Sequence, residues 1–393
     1  MITSPRWLLP EGIEEILPAP ARQLETLSRR LLDHFDQWGY DFVIPPLVDY
    51  LESLLVGSGH DLDLQTFKLT DQLSGRTLGI RADMTPQVAR IDAHHLRATA
   101  PTRLCYLGTV LHTRPDGFAG ARSLLQVGAE LYGHAGVESD MEILQLMAGT
   151  LDIAGVPTVY LDLGHVGIYR AIVASAGLDT DQESTLFDAL QRKAIPEIRE
   201  MLGHWMLPEA DSERLLALAD LHGGPEVLDI ARQALAGAAP DVFDAIDTLE
   251  IIADRITTVL PNITLHFDLA ELRGYHYHTG LVFAAYAPGR GQAIALGGRY
   301  DGIGQAFGQA RPATGFSTDL RTLAAVGNLP STVPGAIFAP AEADPALQAT
   351  IADLRAQGER VIVELPGQAG GPADMGCDRR LVARQGQWEV VPL

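Results

Sequence analysis

The sequence predicts an α/β chain in which a mixed sheet flanked by helices is followed by a second, smaller α/β unit. Strand-like and helical segments alternate between residues 80 and 165, which favours helices packed on a sheet. The chain has 393 residues, more than the roughly 250–300 that one hydrophobic core usually supports. Its composition also changes after Leu329-Pro330, where a final strand- and helix-containing segment begins. These observations together predict at least two compact units.

The first half of the chain is predicted to hold a helix, an edge strand and a hairpin. Apolar residues recur every three or four positions from Arg22 to Trp38, which is typical of an amphipathic helix. The extended run YDFVIPPLVDY (40–50) contains Pro45-Pro46, so we expect an edge or interface strand there. Thr85 is predicted as the N-cap of a helix that has Pro86 at its first position. The segments that follow are a strand hairpin (110–126), a helix (139–154) and a strand (158–164).

The second half is predicted to contain a helical insertion at about residues 178–240. This stretch is rich in Ala, Leu, Asp and Glu, and prolines and a His-Gly-Gly-Pro turn interrupt it. A further apolar stripe at helical spacing runs from Phe243 to Ile256, after which strand-like segments resume. Beyond residue 330, the segments AIFAPA and VIVELPG around the helix ALQATIADLRAQ, with a closing segment RRLVARQGQWEVV, predict the small α/β unit.

Charge and composition exclude several classes of protein. Lys and Arg together number 29 against 50 Asp and Glu, a net charge of −21 that repels a nucleic-acid backbone, so no nucleic-acid partner is expected. Cys105 and Cys377 form no CxxC pair, which disfavours a disulfide framework or a zinc site and fits a cytoplasmic protein. No apolar run approaches the length of a membrane span, so no membrane association is expected. No cofactor and no metal site are predicted.

Four ordered motifs carry a family resemblance. They are IRADMT (80–85), LLQVGAELYG (124–133), RGYHYHTGLVF (273–283) and GGRYDG (297–302). In order and spacing they resemble the catalytic domain of class II histidyl-tRNA synthetases over roughly residues 5–327. The resemblance implies a mixed, mainly antiparallel sheet flanked by helices, with residues 1–327 as the synthetase-like domain and 328–393 as a small C-terminal α/β domain. It also implies that the strand at Pro46 lies at a dimer interface.

The residues that bind ATP in the synthetases are not retained. The resemblance aligns His112 with an arginine on the α-phosphate, Leu124 with an aromatic ring on adenine, and Thr322 with a second phosphate-binding arginine. Arginine offers a permanent charge and a bidentate fork that histidine and threonine lack, and leucine cannot stack on a base. We expect a hairpin that no longer supports adenylation.

The amino-acid end of the synthetase site is better retained. The resemblance implies that Asp83 and Thr85 hold the ammonium of histidine and that Arg273 meets its carboxylate. One departure is His278, where the synthetases usually have tyrosine. Structural roles remain open for Asp83, as a helix-capping neighbour, and for Arg273, as an ion-pair partner. The full set of histidine-binding residues implied in this way is Asp83, Thr85, Gln126, Glu130, Arg273, Tyr275, Tyr277, His278 and Tyr300.

A retained amino-acid pocket beside a degraded ATP site is similar to one family, the regulatory subunits of ATP phosphoribosyltransferase. The resemblance implies a non-catalytic chain that joins a short-form catalytic subunit in a hetero-oligomer, self-associates as a dimer and binds free histidine for feedback inhibition of the first step of histidine biosynthesis. Two alternatives stay open: a residual histidine-activating enzyme, and an assembly scaffold that binds no ligand. Whether histidine occupies the pocket or the surface shared with the partner is also open.

Overall fold

The computed structural model describes residues 7–56, 60–115, 120–272, 274, 275, 277–328 and 335–393, with only the backbone at residues 60, 61 and 306. The chain forms two compact units, Met1–Leu329 and Pro330–Leu393. The strands of the larger unit are β1 (Asp41–Phe42), β2 (Val48–Tyr50), β3 (Phe67–Thr70), β4 (Thr77–Ile80), β5 (Thr102–Leu111), β6 (Ser123–Tyr132), β7 (Val159–His165), β8 (His222–Gly223), β9 (Ile263–Asp268), β10 (Leu281–Tyr286), β11 (Ala295–Arg299) and β12 (Ala313–Asp319).

The helices of the larger unit surround its main sheet. They are α1 (Pro18–Gln37), α2 (Leu51–Leu54), α3 (His60–Gln65), α4 (Thr85–Arg90), α5 (Val137–Ile153), α6 (Val166–Ala176), α7 (Thr180–Gln191), α8 (Ile195–Trp205), α9 (Glu209–Ala217), α10 (Glu226–Ala234), α11 (Pro240–Val259) and α12 (Leu320–Val326). A π-helical turn, Ile91–Leu96, continues α4. None of the helices in the described part of the chain combines the length and apolar character needed to cross a membrane.

The main sheet is mixed and mainly antiparallel, as the sequence predicted. Its strand order is β1-β5-β6-β12-β11-β10-β7-β9-β8. The pairs β1/β5 and β7/β9 are parallel, and the other neighbours are antiparallel. The pair β5/β6 is the predicted hairpin, with Leu111 opposite Ser123 at the end next to the connecting loop.

The two faces of the main sheet have different environments. Along β6, Val127, Ala129 and Leu131 point into the core, while Gln126 and Glu130 alternate onto the opposite face. Helix α1 packs on the core face with four buried residues, and its Phe35 meets Phe316 of β12 edge-to-face at 6.2 Å between ring centroids. The face of β6 that carries Gln126 and Glu130 therefore lies outside this apolar core.

The predicted strand at residues 40–50 is interrupted. Two short strands form instead, β1 at the edge of the main sheet and β2 in a separate three-stranded sheet of order β2-β4-β3. The carbonyl oxygens of Pro45 and Pro46 accept hydrogen bonds from Arg81 (2.6 Å) and Gln87 (2.9 Å). The consecutive prolines donate no backbone hydrogen bond, so a continuous ladder cannot pass through them.

The region predicted as a helical insertion contains α7 to α10, with the two-residue strand β8 between α9 and α10. Asp179 caps α7 in a reciprocal arrangement with Gln182, in which each side chain accepts a backbone hydrogen bond of the other residue. Apolar residues of these helices join the core of the larger unit, among them Leu186, Ile198 and Leu215. The insertion is therefore packed on the core of the larger unit.

The smaller unit has a four-stranded sheet of order β14-β13-β15-β16. Its elements are β13 (Ala336–Ala339), α13 (Pro345–Ala356), β14 (Val361–Val363), β15 (Cys377–Arg384) and β16 (Gln387–Pro392). Strand β13 is parallel to both β14 and β15, while β15 and β16 form an antiparallel pair. Leu347 and Ile351 of α13 pack with Ile337 and Leu381 in a separate small core, which is the α/β arrangement expected from the sequence.

Candidate functional site

The site begins where β4 ends and α4 starts. The backbone N–H of Thr85 donates to Asp83 Oδ1 at 3.1 Å, so the carboxylate satisfies a donor at the helix N-terminus. Thr85 was expected to be the N-cap, but it is the first helical residue and Met84 occupies the cap position. The prediction was off by one residue because Asp83, two positions before the helix proper, supplies the capping oxygen.

Gln126 of β6 connects the sheet to this helix start. Its Nε2 donates to Asp83 Oδ1 at 2.7 Å and to Ser317 Oγ at 3.2 Å. Its Oε1 accepts the backbone N–H of Met84 at 3.0 Å. Asp83 Oδ1 is thus occupied, whereas Oδ2 receives no hydrogen bond from the described residues. One carboxylate oxygen of Asp83 is therefore held in place by Thr85 and Gln126.

Glu130 lies four residues further along β6, on the same face as Gln126. Its carboxylate accepts hydrogen bonds from the hydroxyls of Thr85 (3.0 Å) and Tyr106 (2.9 Å), and from that of Tyr300. The residue is 1% exposed. Burial raises its pKa to about 8, an effect that the hydrogen bonds oppose and the nearby charge of Asp83 reinforces. The site therefore holds a carboxyl group that gains and loses its proton near neutral pH.

Two glycines make room for this cluster on the neighbouring strands. Gly315 pairs with Glu130 across β12 and β6, and a Cβ there would lie 1.6 Å from Glu130 Oε2. Gly128 pairs with Tyr106, and a Cβ there would lie 2.6 Å from the tyrosine hydroxyl. Tyr106 and Ser317 were not predicted as site residues. A glycine within a strand often marks close approach of other groups, and Gly128 is such a signal for the contact with Tyr106.

His278, Tyr277 and Tyr300 form the aromatic side of the site. The rings of Tyr277 and His278 lie 4.1 Å apart, and those of Tyr277 and Tyr300 lie 6.5 Å apart. His278 Nδ1 is 3.2 Å from the carbonyl oxygen of Arg299, which can only accept, so Nδ1 carries the proton. Burial lowers the pKa of His278 to about 4. The ring is therefore neutral at physiological pH.

Tyr275 was expected in the pocket, and the structure places it elsewhere. Its ring packs edge-to-face on Tyr169 with a centroid distance of 5.2 Å, and its hydroxyl donates to Glu183 on α7. The side chain turns toward the helices because residues two apart in a turn need not share a face. Arg273, expected at the ligand carboxylate, lies outside the described residues.

The three positions aligned with ATP-binding residues have other roles. His112 Nε2 is 2.9 Å from the carbonyl oxygen of Ala82, and its buried Nδ1 has no hydrogen-bond partner among the described residues. Thr322 lies in the first turn of α12, where its N–H and hydroxyl donate to Asp319 at 3.0 and 2.9 Å. Leu124 packs against the apolar cluster beside the hairpin. None of the three side chains carries a permanent charge.

Two neighbouring arginines are committed to other contacts. Arg321 Nη1 donates to the carbonyl oxygen of Ser123 at 2.9 Å, and the same side chain pairs with Glu14. Arg122 Nε donates to the carbonyl oxygen of His112 at 3.1 Å. Neither guanidinium is thus a simple replacement for the missing arginines.

The surface around Pro46 is apolar and exposed. Ile44 is 80% exposed, and Phe42 and Leu47 are each 46% exposed. Phe42 belongs to β1, an edge strand of the main sheet, and Ile44 and Leu47 follow this strand. Clustered exposed apolar side chains beside an open sheet edge are characteristic of interaction surfaces.

The fold and the site together define a class II histidyl-tRNA synthetase-like protein. Residues 12–323 match the family described as histidyl-tRNA synthetase. A solved histidyl-tRNA synthetase from Nostoc sp. PCC 7120 superposes with a TM-score of 0.77 over 98% of this chain and 97% of that one; at 18% identity the likeness supports the fold.

A second set of similarities narrows the family. Residues 334–391 match the family described as ATP phosphoribosyltransferase subunit HisZ C-terminal domain. The ATP phosphoribosyltransferase regulatory subunit of Thioalkalivibrio sulfidiphilus is 60% identical, with 100% of each chain covered. A crystal structure from Bacillus halodurans, titled an ATP phosphoribosyltransferase regulatory subunit/histidyl-tRNA synthetase, is 27% identical, with a TM-score of 0.82 over 94% of this chain and 95% of that one. The chain belongs to the family of ATP phosphoribosyltransferase regulatory subunits.

Proposed function

We propose that this chain is the non-catalytic subunit of an ATP phosphoribosyltransferase complex and that its synthetase-like pocket binds free histidine as the feedback inhibitor. The observation that carries the proposal is the contrast within one site. The cluster of Asp83, Thr85, Gln126 and Glu130 is internally hydrogen-bonded, with Thr85 linking Asp83 to Glu130. His112 and Thr322 are instead engaged with Ala82 and Asp319. A pocket that lacks the phosphate-binding arginines can bind histidine without activating it, as a sensor does.

The chemistry of the pocket favours an amino acid with a ring that hydrogen-bonds. Asp83 Oδ2 accepts the ligand's ammonium, because a carboxylate is the strongest acceptor for that group and its second oxygen is already fixed by Gln126. The carboxylate of Glu130 and the hydroxyl oxygen of Tyr300, which donates its proton to Glu130, supply acceptors for an imidazole N–H. Tyr277 and His278 supply flat ring surfaces beside it.

The same geometry supports loss of amino-acid activation. Adenylation places negative charge on phosphates that the synthetases neutralise with arginine, and His112, Leu124 and Thr322 provide no permanent positive charge for them. The net charge of −21 also disfavours a tRNA partner. We therefore expect no histidine-dependent pyrophosphate exchange and no tRNA charging.

Assembly completes the proposal. The exposed apolar side chains of Phe42, Ile44 and Leu47 form a self-association surface next to Pro46, and a short-form catalytic phosphoribosyltransferase is the partner in a larger hetero-oligomer. Because the catalytic subunit is active only in that complex, the first step of histidine biosynthesis requires this chain. We also propose that the chain lies in the cytoplasm.

Co-purification with a short-form catalytic subunit, followed by assay with and without histidine, tests the function. The proposal predicts that the catalytic subunit is active only in the complex and that histidine inhibits the complex. Pyrophosphate exchange by the isolated chain would instead favour a residual enzyme. An active complex that histidine does not inhibit, formed with a chain that binds no histidine, would favour a scaffold.

A further inference from the structure

One turn of the chain reaches both the pocket and the helical insertion. The N–H groups of Tyr277 and His278 both donate to the carbonyl oxygen of Gly274, at 2.9 and 2.8 Å. The N–H of Tyr275 donates to the carbonyl oxygen of Leu272 at 2.9 Å. Tyr277 and His278 belong to the aromatic side of the pocket, and Tyr275 leaves the same turn in another direction.

The turn is tightly packed. Gly274 has a φ of +64°, and a Cβ at this position would lie 2.5 Å from the His278 ring and 2.6 Å from the Tyr277 ring. Both rings thus rest against the backbone of the residue that precedes Tyr275. A displacement of Tyr275 must be transmitted to these rings, since close-packed groups have little free space in which to absorb it.

Tyr275 is held by side chains of α6 and α7. Its hydroxyl donates to the carboxylate of Glu183, and its ring contacts those of Tyr169 and Phe187 at centroid distances of 5.2 and 5.6 Å. Arg170 Nη2 donates to the Tyr275 carbonyl oxygen at 2.6 Å, and its guanidinium lies 4.8 Å from the centre of the Tyr275 ring. The turn is therefore attached to α7 of the helical insertion through the side chain of Tyr275, and to α6 through its backbone.

We propose that Tyr275 is a positioning residue that couples the pocket to the helical insertion, so that ligand binding tightens the contact with α7 and the contact with α7 in turn sets ligand affinity. The inference rests on the proposed function, because it takes histidine as the pocket's ligand. Reciprocity follows from thermodynamics: if the state of α7 changes histidine affinity by some factor, histidine changes the equilibrium of α7 by the same factor.

The anchor is also accessible from the protein surface. Arg170 lines an open groove of about 530 Å³ between α6 and α11, together with His165, Asp241 and Asp244. The Arg170 guanidinium, which donates to the Tyr275 carbonyl oxygen, can therefore be contacted by a molecule that binds against α6 and α11.

The test uses Tyr275→Phe, which removes the hydroxyl bond to Glu183 and keeps the ring. Tyr169→Phe is the matched control, because it removes a tyrosine hydroxyl from the same cluster, one that donates to the backbone oxygen of Glu183 at 2.9 Å, and keeps the ring that contacts Tyr275. Histidine affinity of the full-length chain is measured by calorimetry, and hydrogen exchange across α7 is measured with and without histidine.

The inference predicts that Tyr275→Phe weakens histidine binding about fivefold or more, the lower end of typical coupling factors, and abolishes histidine-dependent protection of α7. Tyr169→Phe keeps wild-type affinity. Glu183→Ala reproduces the loss, and the double variant is no weaker than either single one, since both remove the same interaction.

Wild-type affinity in both Tyr275→Phe and Glu183→Ala, with the wild-type chain binding histidine, would overturn the coupling and leave the pocket assignment in place. Equal weakening in Tyr169→Phe would overturn it as well, because the effect would then come from general loss of stability. If the wild-type chain binds no histidine, the pocket assignment itself fails and the coupling fails with it.

Discussion

Replacing Glu130 with glutamine should change how the stability of the larger unit depends on pH. Burial raises the pKa of Glu130 to about 8, against an ordinary value near 4.3 for glutamate in an unfolded chain. Between these values the folded protein holds a proton that the unfolded chain has released. Stability from this group is therefore fully present below about pH 4 and is lost as pH rises toward about 8.

The magnitude follows from the two pKa values. Each pH unit within the window changes the folding equilibrium roughly tenfold, which amounts to on the order of 4 to 5 kcal/mol across the whole window. Glu130→Gln keeps the shape of the side chain and an acceptor oxygen for the tyrosine hydroxyls, but it does not titrate. Its free energy of unfolding relative to wild type should therefore rise as pH increases from 5 to 8.

Urea unfolding at several pH values, followed for the larger unit, measures this difference. Glu213→Gln is the matched control, since Glu213 is an exposed glutamate on α9, and its difference from wild type should stay flat. Parallel curves for wild type and Glu130→Gln over the whole pH range would refute the reasoning. They would mean that Glu130 keeps an ordinary pKa despite its burial.

Three further predictions concern packing and assembly. Arg311→Met leaves the buried carboxylate of Asp92, 2.7 Å from the guanidinium, without its charge partner and should cost about 3–5 kcal/mol of stability in urea titrations; a loss below about 1 kcal/mol would contradict this. Gly315→Ala places a Cβ 1.6 Å from Glu130 Oε2 and should cost at least about 1–3 kcal/mol by overpacking, whereas Gly302→Ala, which meets no atom within 4 Å, should unfold at nearly the wild-type midpoint. Ile44→Glu puts a charge on the exposed apolar surface. The proposed dimer of the isolated chain should then dissociate to a monomer in light scattering, at an unchanged melting temperature. A dimer that stays intact would show that the interface lies elsewhere.

The sequence predicted best the helices with regular apolar spacing and the residues within the family motifs. The apolar spacing of α1 and α5 located both helices to within a few residues, because a helix that packs on a sheet must repeat its buried residues at helical spacing. The family resemblance carried by the ordered motifs predicted the fold class and assigned Asp83, Gln126 and Glu130 to one site, and the structure joins them through the hydrogen bonds of Gln126 and Thr85.

Prediction failed where contacts depend on the strand register or on a turn. Tyr106 faces Glu130 only because β5 and β6 pair in one register, which the alternation within a single strand does not reveal. Tyr275 and Tyr277 are two residues apart in a turn, where no period determines side-chain direction, and they point to different parts of the unit. The break between β1 and β2 was signalled by Pro45-Pro46, but the second sheet that receives β2 was not.

The histidine inhibition curve of the complex made with Asp83→Ala tests the central claim most directly. The variant removes the carboxylate proposed to hold the ligand's ammonium, a loss of roughly 2–3 kcal/mol for a charge-assisted hydrogen bond, or about 30- to 150-fold in affinity. With each complex normalised to its own activity without histidine, half-inhibition should require histidine concentrations higher by about that factor. An intact Asp83→Ala complex that histidine inhibits at wild-type concentrations would contradict the account and place the sensor outside this pocket.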